Sequence, residues 1–227
     1  MTNRSVLVTG GAGGLGTAVV QAFLDAGWRV VAPIRPNSTG KLPGGAVAVE
    51  ADLSAPADVR AAVDVAAGEP TAPLRAVVNL VGAYGGGKLV HETPIEDFEA
   101  LLSANLRPTY LVTSAALPHL VAAGGGSVVS VSSRAAVAPF PGAAGYIAAK
   151  AAVLAFANAV AVEYKDQGVR SNTVLPSVID TPTNRSHMPG DQSHWVSPAE
   201  IATVILFLAG DDSAPTSGAG IPVYGRG

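Results

Sequence analysis

The sequence predicts an α/β fold: one doubly wound parallel sheet of about seven strands, with helices on both faces. Three observations carry this. Short β-branched runs alternate with longer Ala-rich helical stretches along all 227 residues, the pattern that folds as successive βαβ units. The first strand leads into Gly10, Gly11, Gly13, Gly14 and Gly16 and then directly into a helical pattern. The chain is 48% hydrophobic and only 14% charged, as suits strands buried on both sides.

Val6 to Thr9 reads as the first strand. After the glycine turn, Leu15, Ala18, Val19, Ala22, Phe23 and Ala26 recur at helical spacing, and Gly27 closes that helix. Such a strand–turn–helix binds pyrophosphate: glycines let the backbone approach, and the helix N-terminus offers N–H groups and positive potential. Trp28–Ile34 is the second strand and Ala46–Ala51 the third, with Asp52 and Leu53 after it. Ser54 is the expected N-cap of a helix reaching Ala67. Leu74–Val81 is the fourth strand, followed by Gly82 and a Gly85-Gly86-Gly87 loop. Thr93 and Pro94 read as cap and first residue of a long helix to about Ala123, which Pro108 and Pro118 should bend or interrupt. Ser127–Ser133 is the fifth strand, Gly145 to about Gln167 the next helix, and Val169–Leu175 the sixth strand. Pro176 to Val196 reads as a polar connection punctuated by Pro182, Pro189 and Gly190. Ser197 with Glu200 forms a capping box for a helix ending near Gly210, and Ile221–Tyr224 is the last strand. Neither an internal repeat nor a linker divides the chain, so residues 1–227 are expected to form a single domain.

The net charge of −3 leaves no basic field for a nucleic-acid backbone. With no cysteine, disulfides, Cys-based metal sites and a Cys nucleophile are excluded. His91, His119, His187 and His194 lack zinc-type spacing, so no metal is expected. Met1-Thr2-Asn3-Arg4 leads straight into a strand without an apolar leader, and no uninterrupted apolar run reaches a membrane span. A cytoplasmic protein with no membrane partner is expected.

The chemistry concentrates between Ser133 and Lys150. Tyr146 and Lys150 lie four apart on a helix and therefore share a face. The same spacing occurs at Tyr84 and Lys88, but across three glycines that hold no helix. A Lys ammonium about 4 Å from a tyrosine hydroxyl contributes roughly 4 kcal/mol at an effective dielectric of about 20. Lys150 is thus expected to lower the Tyr146 pKa and prepare it as a general acid–base. Ser133 would hydrogen-bond the substrate oxygen as charge develops there. Hydride transfer between a carbonyl and an alcohol fits this set.

Taken in order, these motifs resemble the short-chain dehydrogenase/reductase family, in its short-subunit NAD(P)-dependent branch on a Rossmann fold. Thr9-Gly10-Gly11-Ala12-Gly13-Gly14-Leu15-Gly16 matches the family's TGxxxGxG. Asp52 and Leu53 match its adenine pocket, and Asn79-Leu80-Val81-Gly82 resembles its NNAG segment. Asn105 matches the helix Asn that completes the catalytic tetrad with Ser133, Tyr146 and Lys150, and holds a relay water. In the family Lys also binds the nicotinamide ribose. Pro176 to Thr181 resembles PGxxxT, which implies a carboxamide held by the Ile179 backbone and the Thr181 side chain. The resemblance also implies a homotetramer or homodimer built on the long helices 95–123 and 146–165.

Cofactor choice turns on the end of the second strand. No acid stands there for an NAD ribose; Arg35 follows Ile34, and a guanidinium pairs with a 2′-phosphate. NADP(H) is favoured, with NAD(H) as the alternative, because Gly13 occupies a position that is basic in many NADP-dependent members. Ser177 replaces the Gly of PG. The covering segment at about 183–196 is short, with His187, Met188, His194 and Trp195 as candidate pocket walls or surface contacts. The expected activity is interconversion of a small-molecule carbonyl and alcohol. Reduction of a pterin-like or quinonoid ring, or a non-enzymatic dinucleotide sensor, are the alternatives.

Overall fold

A computed structural model describes residues 4–36, 40–188 and 190–225; the readings made at Met1–Asn3 and at Pro189 lie outside them. Seven strands pair in parallel as one sheet: β1 (Ser5–Thr9), β2 (Arg29–Ile34), β3 (Val47–Glu50), β4 (Leu74–Asn79), β5 (Gly126–Val131), β6 (Val169–Pro176) and β7 (Gly220–Val223). Their spatial order is β3-β2-β1-β4-β5-β6-β7. The order reverses between β1 and β4, which opens a crevice at the carboxyl ends of the strands. The helices are α1 (Gly16–Asp25), α2 (Pro56–Ala67), α3 (Ile95–Ala122), α4 (Ala144–Glu163), α5 (Pro182–His187) and α6 (Pro198–Ala209).

Alternation along each strand divides the core in two. Val6, Val8, Val30, Val78 and Val129 face α1 and α6, meeting Val19, Val20, Phe23, Ile201, Ile205 and Leu208. Their neighbours Leu7, Val31, Val77 and Val128 face the other way, onto Val59 and Val63 of α2, Val112 and Leu120 of α3 and Val160 of α4. These side chains are almost wholly buried, and each contributes roughly 1.5–3 kcal/mol relative to exposure.

Arginines close the opposite end of the sheet, where the helices end. Arg29 donates to the carbonyls of Val65 and Ala66 at the end of α2. Arg75 donates to Ala123 after α3, at 2.6 Å, and Arg170 to Leu208 and Gly210 at the end of α6. Helix C-termini carry unpaired carbonyls and negative potential, which these cations satisfy.

Local signals shifted in four places. Ser54 does not cap α2; its hydroxyl bonds the Asp52 carboxylate at 2.8 Å, and Ala55 takes the cap position without a side-chain bond. Thr93 turns its hydroxyl back to the Leu89 carbonyl, and α3 starts at Ile95 behind Pro94. Helix α3 runs unbroken through Pro108 and Pro118; packing between α2 and α4 outweighs the lost hydrogen bonds, with Pro108 itself buried. The connection after β6 contains α5 and a parallel bridge between Ile179 and Val196. The capping box of α6 forms as read, Ser197 Oγ accepting from Glu200 N and Glu200 Oε2 accepting from Ser197 N.

Helix α4 is long and apolar enough to cross a membrane by length and composition, although Lys150 and Asn158 interrupt its apolar run. One face of it, with Ala149, Val153, Ala157 and Val160, packs in the interior, where the helix meets α3, β5 and β6.

Candidate active site

The site forms where β4 and β5 leave the sheet. Both strands end two residues earlier than read, at Asn79 and Val131, which frees Leu80–Gly82 and Ser132–Ser133 to turn into the crevice. Ser132 Oγ donates to the Lys150 carbonyl at 2.7 Å, tying α4 to the end of β5. Ser133 is extended and accepts from Ala135 N at 3.1 Å, capping a short helical turn. Helix α4 begins at Ala144, so Tyr146 stands in its first turn and Lys150 one turn on.

These three residues come together. The Ser133 hydroxyl lies beside the Tyr146 phenol and acts to lower its pKa. Lys150 Nζ lies 5.9 Å from the Tyr146 ring centroid and donates to the Val131 carbonyl at 3.2 Å. The electrostatics differ from expectation. Burial raises the Tyr146 pKa, and the neighbouring Tyr84 adds to the rise, against the effect of Ser133. Burial also draws Lys150 down to about 8. The interior setting that holds the pair in place desolvates both charged forms.

Asn105 is fully buried. Its Nδ2 donates to the carbonyls of Ala83 and Leu101, both at 2.9 Å, and its Oδ1 accepts from Ala83 N at 3.2 Å. It therefore pins the loop after β4 beside Lys150. A Cβ on Gly82 would fall 2.5 Å from Asn105 Oδ1 and 2.9 Å from Lys150 Nζ, so a side chain there would displace one or both.

The glycine turn fits a dinucleotide. Gly10 has a positive φ of 68°, and a Cβ on Gly16 would lie 2.0 Å from the Gly10 carbonyl oxygen. The start of α1 has neither a side-chain cap nor an acidic residue in its first turn, which leaves it suited to an anion. Leu15 sits at its cap position. Thr181 faces the turn: a Cβ on Gly14 would touch Thr181 Cγ2 at 2.9 Å. The Ile179 carbonyl is engaged by Thr181 N at 2.9 Å and Asn184 Nδ2 at 2.8 Å, while Pro176 remains in β6 beside Val223.

From the turn, a cleft of about 780 Å³ runs past Gly82, Arg35, Asp52 and Leu53. Asp52 accepts from the backbone and hydroxyl of Ser54, and these bonds, with a smaller pull from Arg35, lower its pKa. Arg107 stands on the same rim, bonded to the Ser54 carbonyl. Its place on the rim with Arg35 was not legible, because α3 meets the loop after β3 only in the folded sheet. Thr9 and Asn79 do not line this cleft. Thr9 Oγ1 accepts from Leu80 N at 3.1 Å, latching β1 to β4, and Asn79 Nδ2 donates to Thr113 on α3 at 3.0 Å.

Tyr84 was also missed as a site residue. Its ring meets Tyr146 edge-on, with centroids 5.1 Å apart and planes at 69°. An aromatic in a glycine loop of a chain with only 5% aromatics was the available signal. In the connection after β6, Arg185 pairs with Asp180 at 2.6 Å, and His187 bonds the Thr183 carbonyl. His187, Met188 and His194 are exposed, and Trp195 is half-buried.

A second cavity of about 430 Å³, at the opposite end of the sheet, is lined by Arg4, Arg75 and Arg170. Those guanidinium groups serve Asp211 and the helix ends described above.

Residues 4–192 match the family model for short chain dehydrogenase. The chain belongs to that family. It is 31% identical to 2-(R)-hydroxypropyl-CoM dehydrogenase of Xanthobacter autotrophicus, the alignment covering 98% of each. It is 30% identical to cyclohexanol dehydrogenase of Acinetobacter sp., covering 98% of this chain and 94% of the relative. A solved structure of ElxO with NADP bound superposes with a TM-score of 0.89 at 24% identity, over 98% of this chain and 97% of that one; at that identity the likeness shows the fold. Short-chain dehydrogenases bind NAD(P) in this nucleotide-binding fold, and the relatives are alcohol and carbonyl dehydrogenases, so the chain is read as an oxidoreductase of that kind.

Proposed function

We propose that this short-chain dehydrogenase interconverts a small carbonyl and its alcohol, with Tyr146 as general acid–base and NADP(H) as the favoured cofactor. The observation that carries the reading is the meeting of Ser133, Tyr146 and Lys150 where the chain leaves β5 and enters α4. The bound nicotinamide supplies or accepts the hydride.

The remaining work falls to the chain. Ser133 donates to the substrate oxygen as negative charge grows on it. Tyr146, whose raised pKa keeps it protonated near neutrality, gives its proton to that oxygen in reduction and takes one back in oxidation. Lys150 is mainly cationic at pH 7 with its pKa of about 8, and its charge stabilises the phenolate left when Tyr146 gives up its proton. Asn105 holds the Ala83 backbone in place beside the pair.

Gly10, Gly14, Leu15 and Gly16 would carry the pyrophosphate, and Asp52 and Leu53 the adenosine end. Ile179 and Thr181 would hold the carboxamide. Arg35 and Arg107, both on the rim of the cleft, favour a 2′-phosphate over a bare ribose. The whole chain would work as one cytoplasmic Rossmann domain, with 183–196 covering the substrate. Tyr110 and Val162 leave exposed apolar surface on α3 and α4, where a homo-oligomer would bury it.

The test is an NADPH oxidation screen over varied carbonyls, with NADH alongside and Tyr146→Phe as control. Turnover with NADPH that disappears in the variant is expected. Undiminished turnover in Tyr146→Phe overturns the role of Tyr146, and a clear NADH preference overturns the cofactor assignment.

A further inference from the structure

We propose that Tyr84 is a specificity-determining residue: an aromatic wall that selects substrates whose carbonyl is borne by a flat, π-bearing ring. This rests on the carbonyl–alcohol reading and names the substrate class for that same site.

The loop carrying Tyr84 is built, not loose. Asn105 holds both the N–H and the carbonyl of Ala83, the residue before it. On its far side Gly87 N donates to the Gly142 carbonyl at 2.7 Å, joining this loop to the one that leads into α4. Glycines make the fit close: a Cβ on Gly85 would press on Leu101 at 3.0 Å, and one on Gly86 would meet the Tyr84 hydroxyl at 3.0 Å. Lys88, the other end of the second Tyr–Lys spacing, is turned toward Asp97 at 4.0 Å. The repeat of the spacing therefore has no chemistry of its own; what matters is where it puts the tyrosine.

That place is against the catalytic ring. One part of Tyr84 packs edge-on to Tyr146, yet 67% of the residue stays exposed. A tyrosine needed only to brace Tyr146 would gain by burying its outer surface. Further exposed apolar side chains occur on the same two joined loops: Leu89 and Val90 on one, Val137 and Phe140 on the other. The exposed face of Tyr84, set against the proton-donating tyrosine, suits a neutral flat ring, which gains from edge or offset contact with a π face beyond the area it buries.

The experiment compares acetophenone with cyclohexyl methyl ketone, which has similar size but no flat ring, and with 2-butanone. Binding to the protein saturated with NADP⁺ is measured by calorimetry for the wild type, Tyr84→Phe and Tyr84→Leu, with NADP⁺ affinity as the control for folding. The wild type and Tyr84→Phe should favour acetophenone over the cyclohexyl ketone by about three- to tenfold. Tyr84→Leu, which keeps bulk without a ring, should lose that preference while NADP⁺ affinity stays unchanged. No preference in the wild type, or an equal one in Tyr84→Leu, overturns the proposal. Turnover is recorded in parallel: binding preference without turnover of any of the three by NADPH or NADH counts against the oxidoreductase reading and leaves the wall intact.

Discussion

Lys150 donates to the Val131 carbonyl from the protein interior, at 3.2 Å, with 6% of the residue exposed. Burial brings its pKa from the ordinary 10.5 to about 8. Between those values the unfolded chain holds a proton that the folded one has released, so this group's contribution to stability rises with pH across the window and is least favourable below it. Catalysis runs the other way, because the ammonium is lost as pH rises through about 8. Carbonyl reduction is expected to decline above about pH 8. Lys150→Met should be slower by about a hundredfold or more and should lack that limb. A wild-type profile that stays level to about pH 10, the ordinary lysine range, would contradict the role of Lys150.

Tyr146→Phe removes the transferable proton and leaves the ring contact with Tyr84 in place. Turnover is expected to fall by about 10²–10⁴-fold. NADPH affinity should change little, since the glycine turn and the adenosine end of the cleft are untouched. Steady-state rates beside equilibrium titration of the cofactor separate the two.

Gly82→Ala places a methyl 2.5 Å from Asn105 Oδ1 and 2.9 Å from Lys150 Nζ. One or both must shift. Displacement of a reacting group by about 1 Å can reduce the rate about a hundredfold, so kcat should drop tenfold or more while the far-ultraviolet circular dichroism spectrum persists. Unaltered kcat would show that the junction tolerates movement.

Arg35→Ala tests the adenosine end. A charge-assisted bond contributes about 1.5–3 kcal/mol, so NADPH should bind roughly ten- to a hundredfold more weakly. NADH should be nearly unaffected, and equal losses for both cofactors would refute a 2′-phosphate contact.

Ser197→Ala deletes the hydroxyl that accepts from Glu200 N and donates to Glu200 Oε2. The loss of this cap should lower stability by about 1 kcal/mol. Urea unfolding should show a lower midpoint with unchanged slope.

The sheet, its helices and the Ser133–Tyr146–Lys150 set were legible because each is written in short-range pattern. Strand alternation, helical spacing, the Gly10–Gly16 turn and the Ser197–Glu200 box all act within a few residues. Departures arose where a second nearby partner competed with a capping signal, or where packing overrode a local one. Ser54 prefers the Asp52 carboxylate to the helix N-terminus, and Thr93 prefers the Leu89 carbonyl. Pro108 stays inside α3 because the packing around it holds the helix.

By itself the sequence determined which elements form and which groups could do chemistry, since propensity and spacing are properties of neighbouring residues. Only the tertiary structure decided how those groups behave. The depth at which α4 lies against β5 desolvates Lys150 and Tyr146 and reverses the expected direction of the Tyr146 shift. The meeting of two loops at Gly87 and Gly142 brings Tyr84 to Tyr146. The approach of α3 to the loop after β3 brings Arg107 to the rim that Arg35 also lines. Burial and proximity depend on the whole packed chain, and no spacing along it records them.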